Sequence, residues 1–413
     1  MRGLWERVRA SFWFLPAGMA AGAILLAFLT VALDARIGGD ALRRFGWLYT
    51  FGPEGARALL SAIASSMITV AAVTFSITML TLQLASSQFG PRLLRNFMRD
   101  RGTQLVLGTF IATFAYCLLV LRTVRGTEDA HFVPHLAVMA GMVMALASIA
   151  VLIFFVHHVA SSIRIETLLA RLSAETLAAV DRLYPARMGK APSAGSHALP
   201  PDFETAHRAV PAGRGGYVER ILVGSLVEIA AEFDLVLRIA ARPGVFVKTS
   251  DALLLAYPAS RVSDEIAARL ASALAIGSER TPEQDLEFSL RRIVEIAQRA
   301  LSPGVNDPTT ALYCLDRIGE ALARLAERDL PSPHRADDAG RLRVVTEVRT
   351  LTDIACPALA AVARYGVGDA DVAAKLVAIL DMLLPRAPLG ERHALETLRE
   401  SIRDAAGACT PRL

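Results

Sequence analysis

The sequence predicts a membrane α-helical bundle of four transmembrane helices, followed by a mixed α/β, mostly helical cytoplasmic domain. Three observations lead there. The 413 residues are 53% hydrophobic with a mean hydropathy of +0.41, too apolar for an ordinary soluble chain. Four apolar stretches, residues 12–33, 58–84, 103–121 and 135–159, have spanning length, since roughly 20 helical residues cross about 30 Å of hydrocarbon. Past residue 165 the pattern turns to alternating and amphipathic segments separated by turn residues.

The first span follows Arg2, Arg7 and Arg9. Its apolar run is longer than that of a signal peptide, so it reads as a retained anchor. Arginine placement sets the orientation: Arg92, Arg95, Arg99 and Arg101 occupy the second loop, and Arg164 and Arg171 follow the fourth span. Against the arginines of the first and third loops, this favours both termini in the cytoplasm.

The second span, "ALLSAIASSMITVAAVTFSITMLTLQLASSQ", is the unusual one. At about 100° per residue, Ile68, Phe75, Met79 and Leu82 share a face suited to lipid. Ser66, Thr69, Ser76 and Gln83 make a polar stripe away from it; Thr74, Thr78 and Thr81 make another. Such hydroxyls either bond their own backbone and neighbouring helices, or one stripe lines an aqueous path at the centre of a homo-oligomer. Without an acid or base inside the span, a proton relay is not indicated.

Gly90-Pro91 then breaks the helix. The next turn sets Leu93, Leu94, Phe97 and Met98 beside Arg92, Arg95 and Arg99, as a short interfacial helix or a plain basic loop. Gly18 and Gly22 in span one, and Ala137, Gly141 and Ala145 in span four, have the small-xxx-small spacing of close helix approach. His157-His158 point about 100° apart on a helix and read as interfacial side chains, not joint metal ligands.

In the cytoplasmic half, residues 165–183 continue helically, and 184–216, rich in Pro, Gly, Ser and Ala, read as a linker. Residues 217–280 form a small α/β segment: "YVERILV" as a strand, "GSLVEIAAEF" as a helix and "DLVLRIAARPGVFVKTSDALLLAY" as two or three strands. Residues 281–413 are expected to be helical, with a possible strand in "RLRVVTEV". "TPEQ" supplies Thr281 as N-cap, Pro282 at the first helical position and Gln284 closing a capping box. Pro303-Gly304 ends that helix, and Asp307 caps the next. The turn "ALSPGVNDPTTA" is therefore a well-built corner, but Ser302, Asn306, Thr309 and Thr310 exceed what a corner needs. Together with Asp307 they form a candidate ligand or partner turn.

Cys117, Cys314, Cys356 and Cys409 lie far apart without a C-x-x-C spacing and read as reduced thiols. No nucleotide, hydrolase or metalloprotease signature occurs, and no basic run interleaved with aromatics suggests nucleic acid.

The segments "LASSQFGPRLLRNFMRDRGTQLVLGTFIATFAYCLLVLR" and "IAQRALSPGVNDPTTALYCLD" resemble, in order, the signature of a bacterial family of predicted membrane proteins of unknown function. "GYVERI" and "RPGVFVKTSDALL" also look like its middle region, with Lys248-Thr249-Ser250 in place of a glycine-containing turn. The resemblance implies an integral inner-membrane protein with a cytoplasmic domain, and no activity. No cofactor or metal is expected; Lys248 lacks the flanking residues of a biotinyl or lipoyl attachment site.

The sequence thus favours a homo-oligomeric, channel-like protein passing a small solute or ion, with a cytoplasmic gating or assembly domain. The alternative is a membrane-anchored regulator or scaffold. A hydrolase using Asp285, Asn306 and Asp307 is the third reading.

Overall fold

The four apolar stretches form α1 (Phe14–Ile37), α2 (Pro53–Phe89), α3 (Arg101–Thr123) and α4 (His135–Ser162). The computed structural model describes residues 12–37, 52–89, 100–127, 130–162, 164–184 and 198–409. Contacts divide the chain into two units, Met1–Thr167 and Leu168–Leu413. All four helices are long and apolar enough to cross a membrane.

Helix α3 is the axis of the first unit: 56% of its most apolar stretch is buried, against 22–28% for the other three. Tyr116, Cys117 and Val120 at one end, and Val106, Leu107 and Phe110 at the other, fill two apolar clusters. The partners at the first are small, with Ala23 and Ala27 from α1 and Ala56 and Ala64 from α2, which lets backbones approach. Gly108 does the same for α1, since a Cβ there would lie 2.5 Å from Met19 Sδ and 3.2 Å from Pro16 Cα. Gly141 packs on Leu60, Tyr116 and Cys117, as its spacing predicts, whereas Gly18 and Gly22 face open space. Ala23 and Ala27 do the work expected of them.

Polar groups lock the bundle. Tyr116 Oη donates to the Ala137 carbonyl at 3.0 Å and shares a 2.9 Å hydrogen bond with Thr30. Thr113 and Ser148 join α3 to α4 at 3.1 Å. Asp34, just past the expected end of span one, accepts the N–H groups of Leu136 and Ala137 at 3.0 and 2.9 Å. It thereby caps the first turn of α4 from a different helix. A short hairpin of β1 (Arg125–Thr127) and β2 (Ala130–Phe132) joins α3 to α4.

In the second unit, α5 (Ile165–Leu183) buries Leu168, Leu169 and Leu172. The 184–216 linker reading is corrected in its second half: the short α6 (Phe203–Ala206) precedes β3 (Arg208–Pro211), which pairs with β7 (Ala252–Tyr257). Pairing answers Pro-rich composition here because Val210 enters the core. Five strands run in the order β3–β7–β5–β10–β9, with β5 (Val236–Ile239), β9 (His334–Ala336) and β10 (Leu342–Val345). All neighbours are antiparallel except β10 and β5. A second sheet has the order β6–β4–β8, from β4 (Gly216–Ile221), β6 (Phe246–Val247) and β8 (Leu274–Gly277).

Two expectations change accordingly. The strands of "RPGVFVKTSDALL", β6 and β7, belong to different sheets and do not pair with each other. The Lys248-Thr249-Ser250 turn needs no glycine: Asp251 Oδ2 accepts the Lys248 N–H at 2.8 Å and closes it. Nor do 217–280 and 281–413 separate, since β10 pairs with β5 and Val344 joins the core of Leu237 and Leu254.

Helices α7 (Val223–Glu232) and α8 (Asp264–Ser272) contribute to this core. The remaining helices are α9 (Leu286–Ala300), α10 (Pro308–Ala326), α11 (Leu351–Gly366), α12 (Ala370–Leu383) and α13 (Leu389–Cys409). Helix α9 does not begin at "TPEQ". Its cap is Asp285, which accepts the Phe288 N–H at 2.9 Å. Gln284 instead bonds both the N–H and the carbonyl of Ile221, at 2.8 and 3.1 Å, and Thr281 bonds the Glu219 carbonyl. The backbone groups of Glu219 and Ile221, past the short pairing of β4 with β6, outcompete the capping box.

Candidate functional site

The two stripes of α2 part company. Thr74 is buried, with Ala56, Leu60, Ala64, Met67 and Ala71 on the same face. Ser66, Thr69, Ser76 and Gln83 are exposed on the opposite side, and Ala62, Ser65, Ala72 and Val73 are exposed beside them. The expected lipid face is only partly so: Ile68 is exposed, but Phe75 is half-buried and packs with α3 residues and near Trp13. The outward side of α2 thus mixes small and hydroxylated residues with the exposed apolar side chains of Ile68, Val73, Ile77 and Leu80.

Three outward hydroxyls donate within their own helix, Ser66 to Ala62, Thr69 to Ser65 and Ser76 to Ala72, at 2.8–2.9 Å. The single donor is satisfied, and the oxygen lone pairs remain turned outward as acceptors. Such a face tolerates lipid at little cost, and it also suits water, a cation or another helix.

The basic residues Arg92, Arg95 and Arg99 lie outside the described residues. Directly after them, Asp100 caps α3 by accepting the Gly102 N–H at 3.1 Å. His158 Nε2 lies 2.6 Å from Asp100 Oδ2, and Thr103 donates to the same oxygen at 2.8 Å. Gly102 makes room for the ring, since a Cβ there would fall 2.6 Å from Nε2. Burial pushes the Asp100 carboxyl up, but the bonds from His158 and Thr103 outweigh it and hold it below its ordinary value. The histidine therefore clamps α4 to α3, a role its interfacial position in sequence does not announce.

In the second unit the 302–310 turn is built as a corner. Ser302 Oγ donates to the Arg299 carbonyl at 2.6 Å, and Asn306, at φ +48°, donates its N–H to the Ser302 carbonyl at 2.9 Å. Asp307 accepts the Thr310 N–H at 3.0 Å, and the bond from the Thr310 hydroxyl, with that from the amide, lowers its pKa. The left-handed residue suits asparagine. Asn306, Thr309 and Val305 are exposed, so the surplus polarity lies at the surface. Asp285 begins α9 and Asn306-Asp307 follow its end, and a 15-residue helix spans about 22 Å. The trio proposed for hydrolysis shares no pocket.

A cleft of about 170 Å³ lies elsewhere in this unit, between Tyr184, the Arg242-Pro243 turn, the start of α9, Arg335 and the 346–349 segment. Arg349 pairs with Glu287 at 2.7 Å and Glu347 at 3.4 Å, and Arg242 reaches Glu287 at 3.4 Å. Tyr184 Oη donates to the Arg349 carbonyl at 3.0 Å, and burial pushes the phenol up to about 12. Asp285 pairs with Arg280 at 2.7 Å, yet burial raises its pKa. Gly244, at φ +86°, packs against that carboxylate, and a Cβ would lie 2.0 Å from Oδ2. Burial pushes Cys314 up to about 12, which makes it a poor nucleophile. No group of three metal-ligating side chains occurs among the described residues.

Sequence reasoning missed Asp34, Asp100 and the Arg242–Glu287–Arg349 network. The first two carry a usable signal, a carboxylate within one turn of an apolar run. The third joins positions far apart in the chain and carries none.

Four span-length helices on one unit and a sheet-containing second unit define a multi-pass membrane protein with a mixed α/β C-terminal part. The chain belongs to the family described as predicted membrane protein (DUF2254), whose pattern matches residues 9–382. An uncharacterized protein of Mycobacterium tuberculosis is 35% identical over 354 residues, 83% of this chain and 65% of that relative. An uncharacterized protein of Mycobacterium bovis shows the same identity and coverage. The chain therefore spans 65% of the length of these relatives. No solved structure matches it.

Proposed function

We propose that this protein is a homo-oligomeric, channel-like protein of the bacterial inner membrane, passing a small solute or ion. Copies associate through the outward side of α2, and Ser66, Thr69, Ser76 and Gln83 line the path. The observation that carries the reading is that this uncharged polar stripe lies opposite the packed face of α2. Hydroxyl oxygens with spare lone pairs replace part of the hydration of a water-sized or cationic solute. The small residues around them permit close helix approach. Both termini are cytoplasmic in this reading, and the C-terminal unit assembles or gates the path without enzymatic activity.

Reconstitution of the full chain in liposomes tests this directly. Flux of ions or small solutes should exceed that of empty vesicles, and Ser66→Leu with Ser76→Leu should abolish it. Thr69→Cys should form a disulfide-linked dimer under oxidation. Flux at the empty-vesicle level across voltage, tension and pH, together with a monomer in the membrane, defeats the proposal.

A membrane-anchored regulator is the second reading, favoured by the charged cleft around Arg242, Glu287 and Arg349 and by the exposed 305–309 turn. In that case Asn306→Ala with Thr309→Ala should abolish a partner pull-down while expression stays normal.

A further inference from the structure

At the end of the bundle where α1 and α3 finish, a cavity of about 410 Å³ opens between them. Phe28 and Val31 of α1, Leu119 of α3 and Phe132 of β2 form its apolar wall, and Arg122 and Arg125 stand in its polar part. Neither guanidinium makes a hydrogen bond or ion pair among the described residues. Of the described acids at this end, Asp34 is committed to the first amides of α4, and Glu54 makes no ion pair among the described residues. Arg57, a further cation at this end, donates to the Val124 carbonyl at 2.8 Å.

We infer that this cavity binds an anionic phospholipid, its headgroup phosphate held by Arg122 and Arg125 and its chain lying along Phe28 and Leu119. Two guanidiniums without an ion pair among the described residues, at the end of a spanning helix, match a phosphate, which accepts charge-assisted, bidentate hydrogen bonds. A purely aqueous anion would not use the aromatic and aliphatic wall, whereas a lipid carries both halves. Basic pockets between membrane helices recognise headgroups in this manner. Arg122 also completes the negative end of the α3 dipole. Arg125, beyond that helix, has no such reason to be there.

The test is calorimetric titration of the full-length protein in neutral detergent with short-chain phosphatidylglycerol. Phosphatidylcholine of equal chain length and glycerol phosphate are the comparison ligands. Phosphatidylglycerol should bind best, and Arg122→Gln with Arg125→Gln should weaken it about ten-fold or more. Arg36→Gln, an exposed cation that does not line the cavity, should leave it unchanged. Leu119→Trp should fill the apolar half and weaken phosphatidylglycerol without altering glycerol phosphate. Equal binding by the double variant, or phosphatidylcholine as tight as phosphatidylglycerol, overturns the assignment. Glycerol phosphate as tight as phosphatidylglycerol overturns it as a lipid site, leaving a free-anion site.

Discussion

Helices α2 and α3 are built from similar residues, and the structure uses their hydroxyls in opposite ways. Thr113 and Tyr116 of α3 reach Ser148, Thr30 and the Ala137 carbonyl on other helices. Ser66, Thr69 and Ser76 of α2 turn back onto their own carbonyls and face outward. A hydroxyl that finds a partner across a helix interface fixes the bundle; one that satisfies itself leaves a polar surface available to something outside it. Polarity inside a spanning helix is therefore two signals, and composition does not separate them.

The largest effect that sharpens this contrast should come from Asp34→Ala. It strips the acceptor from two amides at the start of α4 and should cost about 2–3 kcal/mol, read as a lowered unfolding midpoint in detergent. Next is Asp285→Ala, which removes the α9 cap and strands Arg280. A loss of about 2 kcal/mol is expected, confined to unfolding of the C-terminal unit and visible by amide exchange. Tyr116→Phe deletes a hydrogen-bonding hydroxyl with little change in volume, and about 1 kcal/mol should be lost from the membrane unit.

A smaller effect should appear only in acid. The Arg343 guanidinium, with the Arg341 N–H, lowers the Asp337 carboxyl to about 2. A depressed acid adds stability above its unfolded value, about 3.9, and loses it as pH falls toward the folded value. Asp337→Asn should therefore flatten the unfolding midpoint between about pH 4 and pH 2, measured against the parent. Asp285 has the opposite sign, since burial raises it, so its contribution declines as pH rises above the ordinary carboxylate range. Smallest of all, Ser66→Ala, Thr69→Ala and Ser76→Ala together should shift monomer unfolding by no more than about 0.5 kcal/mol. A large loss would show that these hydroxyls hold the bundle after all, and the contrast between α2 and α3 would fail.

The spans were legible because hydrocarbon imposes one local rule, length of apolar helix, and 53% hydrophobic composition concentrates it in four runs. The strand–helix order from Gly216 to Tyr257 was legible through alternation and the Asp234 and Pro243-Gly244 punctuation. The 302–310 corner followed from Pro303, Gly304, Asp307 and Pro308. The start of α9 was misread because Gln284 has a better partner in Ile221, 63 positions away, and local capping rules do not see it.

By itself, the sequence determined most of the helices and strands, the four helices long and apolar enough to cross a membrane, and which chain family this is. These depend on periodicity and hydrophobic length, which are properties of neighbouring residues. Tertiary structure alone decided that one stripe of α2 points outward and the other inward. It also decided that Asp34 caps a helix about a hundred positions away, and that Arg122 and Arg125 share a cavity with Phe28. The physical reason is that a side chain's partner, and hence its chemistry, depends on which surfaces the fold brings within hydrogen-bonding distance.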